Sequence, residues 1–479
     1  MPVHAEHLTV PAKPVQVRSL QVTDASFSWT DSDKAEARAS THQVLFTADS
    51  SSADGAKYII CILREDPGTP PSRPFRLDLL QTDEIPAELR NGHVISGMPP
   101  HLQPRPDNKV DVIVSTKSGT GRAQSFWQTV LQPLLQIASC QTPPEQYGLV
   151  VTQDAQSVRQ YAKVIGDSPV ARTIILLSGD GGVVDLLNGH ERAPSAPLPL
   201  IALLPLGTGN ALFHSLHKPC LNDTSTTGPT PLVLALRTLF LGVAANLPVF
   251  QATFTPGSQI VTYASPSPID NSQASQLPHR QQVSSLYGAI VASHGFHASI
   301  VYESDTPSHR VHGAKRFGMV AQELLGLSHA YKARLDVRPP GPASLGELER
   351  DAHETHGYIL VSMVSNLERK FTISPASKPL DGKLHLVHFG AVSGHRAMEV
   401  MMKAYDGGKH VGVKWDDGER VRYEEVGEVR VASDEDDERW RVFCVDGTIV
   451  QVERGGGMSV TRADRELLQV LVDERIRRP

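Results

Sequence analysis

Cysteine is scarce. Cys61, Cys140, Cys220 and Cys444 are scattered over 479 positions with no CxxC pair, which argues against a disulfide framework or a structural zinc site. Positive charge is not in surplus either: 46 Lys+Arg against 52 Asp+Glu leave −6. A general nucleic-acid binder needs a basic excess to neutralise phosphates, so no nucleic-acid partner is expected. No apolar run has the length and purity of a membrane span. The longest, 231–250, contains Arg237, Thr238 and Asn246 and ends near Pro248, so a buried or amphipathic helix is expected there. MPVHAEHLTVPAK lacks a basic start followed by an apolar core, Pro2 stands where myristoylation needs glycine, and no prenylation box is present. With Gly 37 and Pro 35 the chain stays short of the level that signals disorder. The expectation is a globular, cytoplasmic chain of two or three domains, with peripheral membrane contact at most.

Residues 1–108 mix short alternating runs (44–47, 58–63) with turn-rich PGTPPSRP (67–74) and MPPHLQPRP (98–106). They read as a strand-rich N-terminal extension and linker. From Asp111 the pattern sharpens. Apolar strands at 112–114, 149–151, 173–177 and 200–204 alternate with helical segments at 125–138, 154–165 (Asp154 as N-cap) and 183–189 and with a loop and helix over 205–216. Continuous apolar strands alternating with helices imply a parallel sheet covered on both faces, and 109–245 is assigned as an α/β domain. Beyond it, strand-like runs at 358–364, 384–389, 426–431, 440–445 and 449–452 dominate, with helices near 312–327 and 394–404. Residues 246–479 therefore read as a β-rich C-terminal domain. SPSPIDNSQASQLPHRQQ (265–282) has no apolar periodicity and reads as an exposed, mobile insertion.

The chemistry lies in three glycine loops, each following a strand: STKSGTGRA (115–123), SGDGG (178–182) and PLGTGN (205–210). Glycine lets backbone N–H groups converge on an anion, and the start of a following helix adds its dipole. Neither GxxxxGK[ST] nor GxGxxG occurs, so this is neither a P-loop nor a dinucleotide fingerprint. In parallel sheets ligands sit at the carboxyl ends of the strands, where all three loops fall. Asp180 stands between Gly179 and Gly181. It reads either as the N-cap of the helix near 183 or as a carboxylate placed to orient Mg²⁺ or an attacking hydroxyl. Other candidates read as structural. His353 and His356 lack HExxH spacing, so no metal is expected there, and DEDDER (434–439) reads as a solvated hairpin tip.

LLSGDGGVVDLLNG (176–189) paired with LLPLGTGNALFHSL (203–216) resembles the catalytic domain shared by diacylglycerol, ceramide and sphingosine kinases. SGDG and GTGNALFHSL resemble the sphingosine (long-chain-base) kinases most. STKSGTGRAQSFWQTVLQPLL (115–135) is similar to that family's first phosphate loop, ASHGFHASIVYESD (292–305) to its lipid segment, HGAKRFGM (312–319) to its arginine helix and FCVDGTIV (443–450) to its C-terminal strand turn. The resemblance implies a nucleotide-binding α/β domain, a β-sandwich lipid-binding domain, and a cleft between them for Mg²⁺ and ATP. The implied activity is transfer of the γ-phosphate to the primary hydroxyl of a membrane-borne sphingoid base. A diacylglycerol or ceramide kinase, or an inactive nucleotide- or lipid-binding relative, are the alternatives.

Residue by residue, the resemblance implies Asp180 as the catalytic carboxylate. For ATP it implies Ser115, Lys117, Gly119, Gly121, Arg122, Thr152, Gly179, Gly181, Gly207, Thr208, Gly209, Asn210, Arg310, Arg316 and Asp446. Two acidic positions of the family, the second of which would hold the sphingoid headgroup, fall on Ser299 and Val301, with Glu303 or Asp305 within about a turn of Val301 to compensate if this segment is helical. If neither does, a neutral lipid alcohol is favoured over an ammonium-bearing one. Thr448 replaces the glutamate of the strand turn and leaves more of the work to Asp180.

Overall fold

The computed structural model describes residues 13–477 apart from 24, 32–35, 50–56, 66–73, 91–92, 140–145, 155, 167, 190–194, 222–227, 264–277, 314 and 342–345. The described residues form three sheets. Residues 15–95 make a seven-stranded sheet in which Val15–Thr23 pairs parallel with Phe75–Thr82. Its core is continuous with the next layer through the Pro231–Leu241 helix. There Phe240 packs on Phe46 at 4.4 Å between ring centroids, and the Arg237 guanidinium donates to the carbonyls of Thr41, His42 and Val44. Of the long apolar run 231–250, Pro231–Leu241 is a buried helix whose one charge is spent on backbone carbonyls, and Val243–Asn246 is a strand.

The second sheet runs 243–246, 469–472, 200–205, 171–178, 108–114, 148–151 from edge to edge. The four strands read as parallel are parallel. Their order places the second strand and the third on opposite sides of the first, so the crevice opens where the first and third strands end. Both carry a glycine loop there. The end of the chain returns to this sheet: Gln469–Val472 pairs parallel with Leu200–Pro205 and antiparallel with Val243–Asn246. A division at 245/246 therefore leaves one strand of the α/β sheet in the C-terminal segment. The third sheet, with 14 strands, is large and curled and is built from residues 250–462. Of the segment at 265–282, residues 278–282 are described and include the strand His279–Gln282, and the rest lies outside the described residues.

Several local expectations change. The helix expected at 154–165 is Ser157–Ile165 with Gln156 as N-cap, because Asp154 accepts the Gln156 N–H and the Ser157 hydroxyl one step earlier. The helix expected from 183 begins at Asp180, with Gly179 as its N-cap, so Asp180 does not cap it. The run 426–431 divides into Arg422–Val426 and Glu428–Ser433, which pair with different strands on either side of Gly427. DEDDER is not wholly solvated: Glu435 is buried, accepting the Lys332 N–H and bonding His329, each at 2.8 Å. No described helix is long and apolar enough to cross a membrane.

Histidine makes this core acid-sensitive. Burial pushes His214, His217, His294, His297 and His410 down to about 4. An unfolded chain takes up protons at these sites near pH 6.5 while the native state refuses them. Stability contributed by neutral histidine is complete above about pH 6.5 and is lost progressively towards pH 4. Asp446, pushed up to about 7, and Asp185, pushed up to about 6, act in the opposite sense, as do the raised Asp180 and Glu65, but the lowered histidines outnumber them. Urea midpoints measured at pH 7.5, 6.5 and 5.5 are expected to fall between the last two; a flat profile would contradict this assignment.

Candidate functional site

The three glycine loops interlock through backbone. In the first, Gly119 has φ +54 and a Cβ there would lie 2.4 Å from the Leu206 carbonyl oxygen of the third loop. A Cβ on Gly207 would lie 2.3 Å from the Cα of Gly179. Gly119, Gly179 and Gly207 are thus required by the loops' own approach to one another. Side chains fasten the contact. Ser118 Oγ accepts the Gly179 N–H at 3.3 Å, and Asn210, at φ 53, accepts the Gly207 N–H and donates to the Gly207 carbonyl.

Asp180 is the central tie. Its Oδ2 accepts the Ala211 N–H at 2.7 Å and its Oδ1 the Leu212 N–H at 3.1 Å. It therefore caps the Ala211–His217 helix that follows the third loop, while standing in the second. Burial raises its pKa, and the two N–H donors oppose that rise. The helix dipole adds a favourable partial charge beside the carboxylate.

These loops form one wall of a cavity of about 630 Å³. Lys117, Gly119, Gly179, Asp180, Gly181, Gly207 and Thr208 line it from the α/β side, and His297, Val301, Arg310, Arg316, Asp446 and Thr448 from the other. A Cβ on Gly181 would meet nothing within 4 Å, so that glycine keeps space open in the cavity. Arg310 makes a bidentate pair with Asp305, at 2.9 and 2.6 Å, and donates to the Tyr263 carbonyl. Arg316 lies 3.8 Å from the same carboxylate, and its buried Nε has no partner among the described residues. One carboxylate between two guanidiniums leaves net positive charge at the wall.

Asp446, at φ 47, accepts the N–H groups of Ala289, Ile290 and Val291 at 2.6 to 3.2 Å. Burial pushes it up to about 7, and the charge of Asp180 adds to that rise. Two carboxylates of like charge on one cavity are a donor set that suits a divalent cation, so these residues fit Mg²⁺.

The other expected residues stand behind the wall. Thr152 accepts the Thr116 N–H and its carbonyl receives the Thr116 hydroxyl, which braces the first loop. The Ser115 N–H donates to Leu177; Gly121 and Gly209 do not line the cavity, and Arg122 is exposed, its charge acting on Glu65. In the Phe296–Ser304 helix, Ser299 is buried beneath Tyr331, whose hydroxyl donates to it at 3.0 Å. Glu303 is paired with Arg439 at 2.7 Å. Only Val301 of the three positions reaches the cavity. Two contributors were not singled out in sequence: Ser118, hidden between Lys117 and Gly119, and His297, directly after Gly295-Phe296.

The dismissed histidines do cluster. Asp351, His356 and His388 bring potential ligand atoms within 4.8 Å of one another. Each is already engaged: His356 Nε2 with the Ala333 carbonyl, His356 Nδ1 with His388 Nε2 at 2.8 Å, and Asp351 with Arg422.

Residues 109–236 match the diacylglycerol kinase catalytic domain family. Three solved structures from Bacillus anthracis str. Sterne, described as diacylglycerol kinases or provisionally so, are similar at 13–14% identity with TM-scores of 0.44 to 0.47. In each comparison 77% of this chain and 98% of the other are covered. No curated protein matches.

Two glycines in these loops separate folding from binding. Gly207→Ala forces a Cβ against the Gly179 backbone and is expected to destabilise by about 1–3 kcal/mol. Gly181→Val is expected to leave the melting temperature within about 2 °C, a shift of well under 1 kcal/mol, while weakening binding of a fluorescent ATP analogue at least tenfold. Equal losses of stability in the two variants would refute the distinction.

Proposed function

We propose that the chain is an ATP-dependent lipid kinase acting on the primary hydroxyl of an uncharged lipid alcohol of the diacylglycerol or ceramide type. The observation that carries this reading is the pairing of three interlocked glycine loops and Asp180 with Arg310, Arg316 and Asp446 across one cavity. Phosphoryl transfer depends mainly on positioning and charge neutralisation. The loop N–H groups, Lys117 and the arginine pair supply positive charge for a triphosphate. Asp180 and Asp446 would hold Mg²⁺, which neutralises phosphate oxygens when bound. Asp180 keeps negative charge beside the attacking oxygen.

The uncharged acceptor follows from the lipid side of the cavity. A sphingoid ammonium, the acceptor that the resemblance favours, needs an unengaged carboxylate. Glu303 is committed to Arg439 and Asp305 to the two arginines, Ser299 is turned into the core, and Val301 offers no polar atom. The lipid has to come from a membrane surface, so transient docking there is part of the proposal, as is a cytoplasmic location.

The test is labelled ATP and Mg²⁺ with diacylglycerol, ceramide and sphingosine in mixed micelles. Label is expected in a neutral lipid, with at least a hundredfold loss in Asp180→Asn, which keeps an acceptor for the helix N–H groups. Label in sphingosine alone would overturn the acceptor assignment. ATP binding without any lipid product would replace the kinase with a binding protein, and Thr448 would be the first position to examine.

A further inference from the structure

The helix Phe296–Ser304 forms the lipid-side wall of the cavity, and two of its side chains reach the space, His297 and Val301. They stand four residues apart, one turn along the same helix face. Val301 is apolar. Ser299, between them in sequence, points the other way and is closed off by Tyr331. The only polar atoms this helix can offer the cavity are therefore those of the His297 imidazole.

The ring is held in a fixed orientation. Its Nδ1 is bonded to Ser293 Oγ at 2.7 Å, and the edge of Tyr358 lies against it at 6.4 Å between ring centroids. No described residue bonds its Nε2. The other titratable groups on the cavity wall are differently placed. Asp180 and Asp446 hold backbone N–H groups, Asp185 pairs with Arg159, and Arg310 and Arg316 share Asp305. Lys117 belongs to the phosphate-loop side. An imidazole fastened at one nitrogen and open at the other is equipped to meet one polar group of a ligand. Burial keeps it uncharged at neutral pH, so the group it suits is a hydroxyl or carbonyl.

We propose that His297, oriented by Ser293, is the residue that recognises the uncharged polar headgroup of the acceptor lipid, through a hydrogen bond from or to its Nε2. This rests on the lipid-kinase reading above. It assigns acceptor selection to a histidine on the cavity wall in place of an acidic pair. His297 contributes binding of the acceptor, while phosphate binding remains with the glycine loops and arginines.

The experiment compares wild type, His297→Leu, His297→Gln and Ser293→Ala as full-length proteins. Steady-state kinetics use a short-chain diacylglycerol and a short-chain ceramide, and binding of the same lipids is measured without ATP. His297→Leu is expected to raise the lipid KM and Kd about tenfold to a hundredfold, the loss of one hydrogen bond in a desolvated site. The ATP KM should stay within twofold. His297→Gln, which restores a polar end, is expected to recover most of the lipid affinity, and Ser293→Ala to lose part of it. A His297→Leu protein that melts like wild type and keeps its lipid KM and Kd overturns the proposal while leaving the kinase intact. Loss of ATP and lipid binding together, or failure of the glutamine variant to recover, overturns it as well, because the role is then structural. A wild type that neither phosphorylates nor binds any of these lipids overturns the kinase reading itself and the proposal with it.

Discussion

The Asp180 carboxylate, half-buried among backbone groups, accepts the first two N–H groups of a helix that begins 31 residues later in the chain. Unpaired, a carboxylate in that position would be strongly disfavoured. Bonded to two N–H groups at a helix N-terminus, it joins the second glycine loop to the third. Ser118 Oγ adds a bond to the Gly179 N–H, and elsewhere backbone lies on backbone, Gly179 against Gly207 and Gly119 against Leu206. No side chain intervenes there to cushion the approach. The three loops are therefore held as one unit, with their backbone N–H groups set in place by the fold.

Opposite this unit the C-terminal half presents its own fixed turn. Asp446 gathers three successive N–H groups of residues 289–291, which aims the strand Val291–Gly295 and the helix after it at the cavity. The two halves are also joined covalently and by hydrogen bonds, since Gln469–Val472 closes the α/β sheet. The cavity between them is thus bounded by two backbone-anchored carboxylates on one hand and by Lys117 and two arginines sharing Asp305 on the other. Each wall brings a carboxylate and positive charge to the same partly desolvated space.

Much of this was legible from local pattern. The four parallel strands, the glycine loops at their ends and the helices near 312–327 and 394–404 follow from apolar spacing and glycine placement, which act over a few residues. Legibility stopped where a side chain could turn either way. Ser299 and His297 are neighbours on one helix, and nothing in their spacing tells which faces the cavity. Glu303 is an available carboxylate on paper and an engaged one in space, because Arg439 arrives from a segment 136 residues away. The histidines of DAHETHG form a cluster only because His388 lies on the paired strand.

What the sequence alone determined, then, is the α/β half with its three glycine loops, because glycine, strand and helix are local choices. The tertiary structure decided the rest. It made Asp180 the cap of the distant Ala211–His217 helix, committed Glu303 and Asp305 to arginines, and left His297 as the open polar group of the Phe296–Ser304 helix. Those outcomes depend on which buried charges find partners across the fold, and burial makes an unpaired charge too costly for the choice to be left to sequence neighbours.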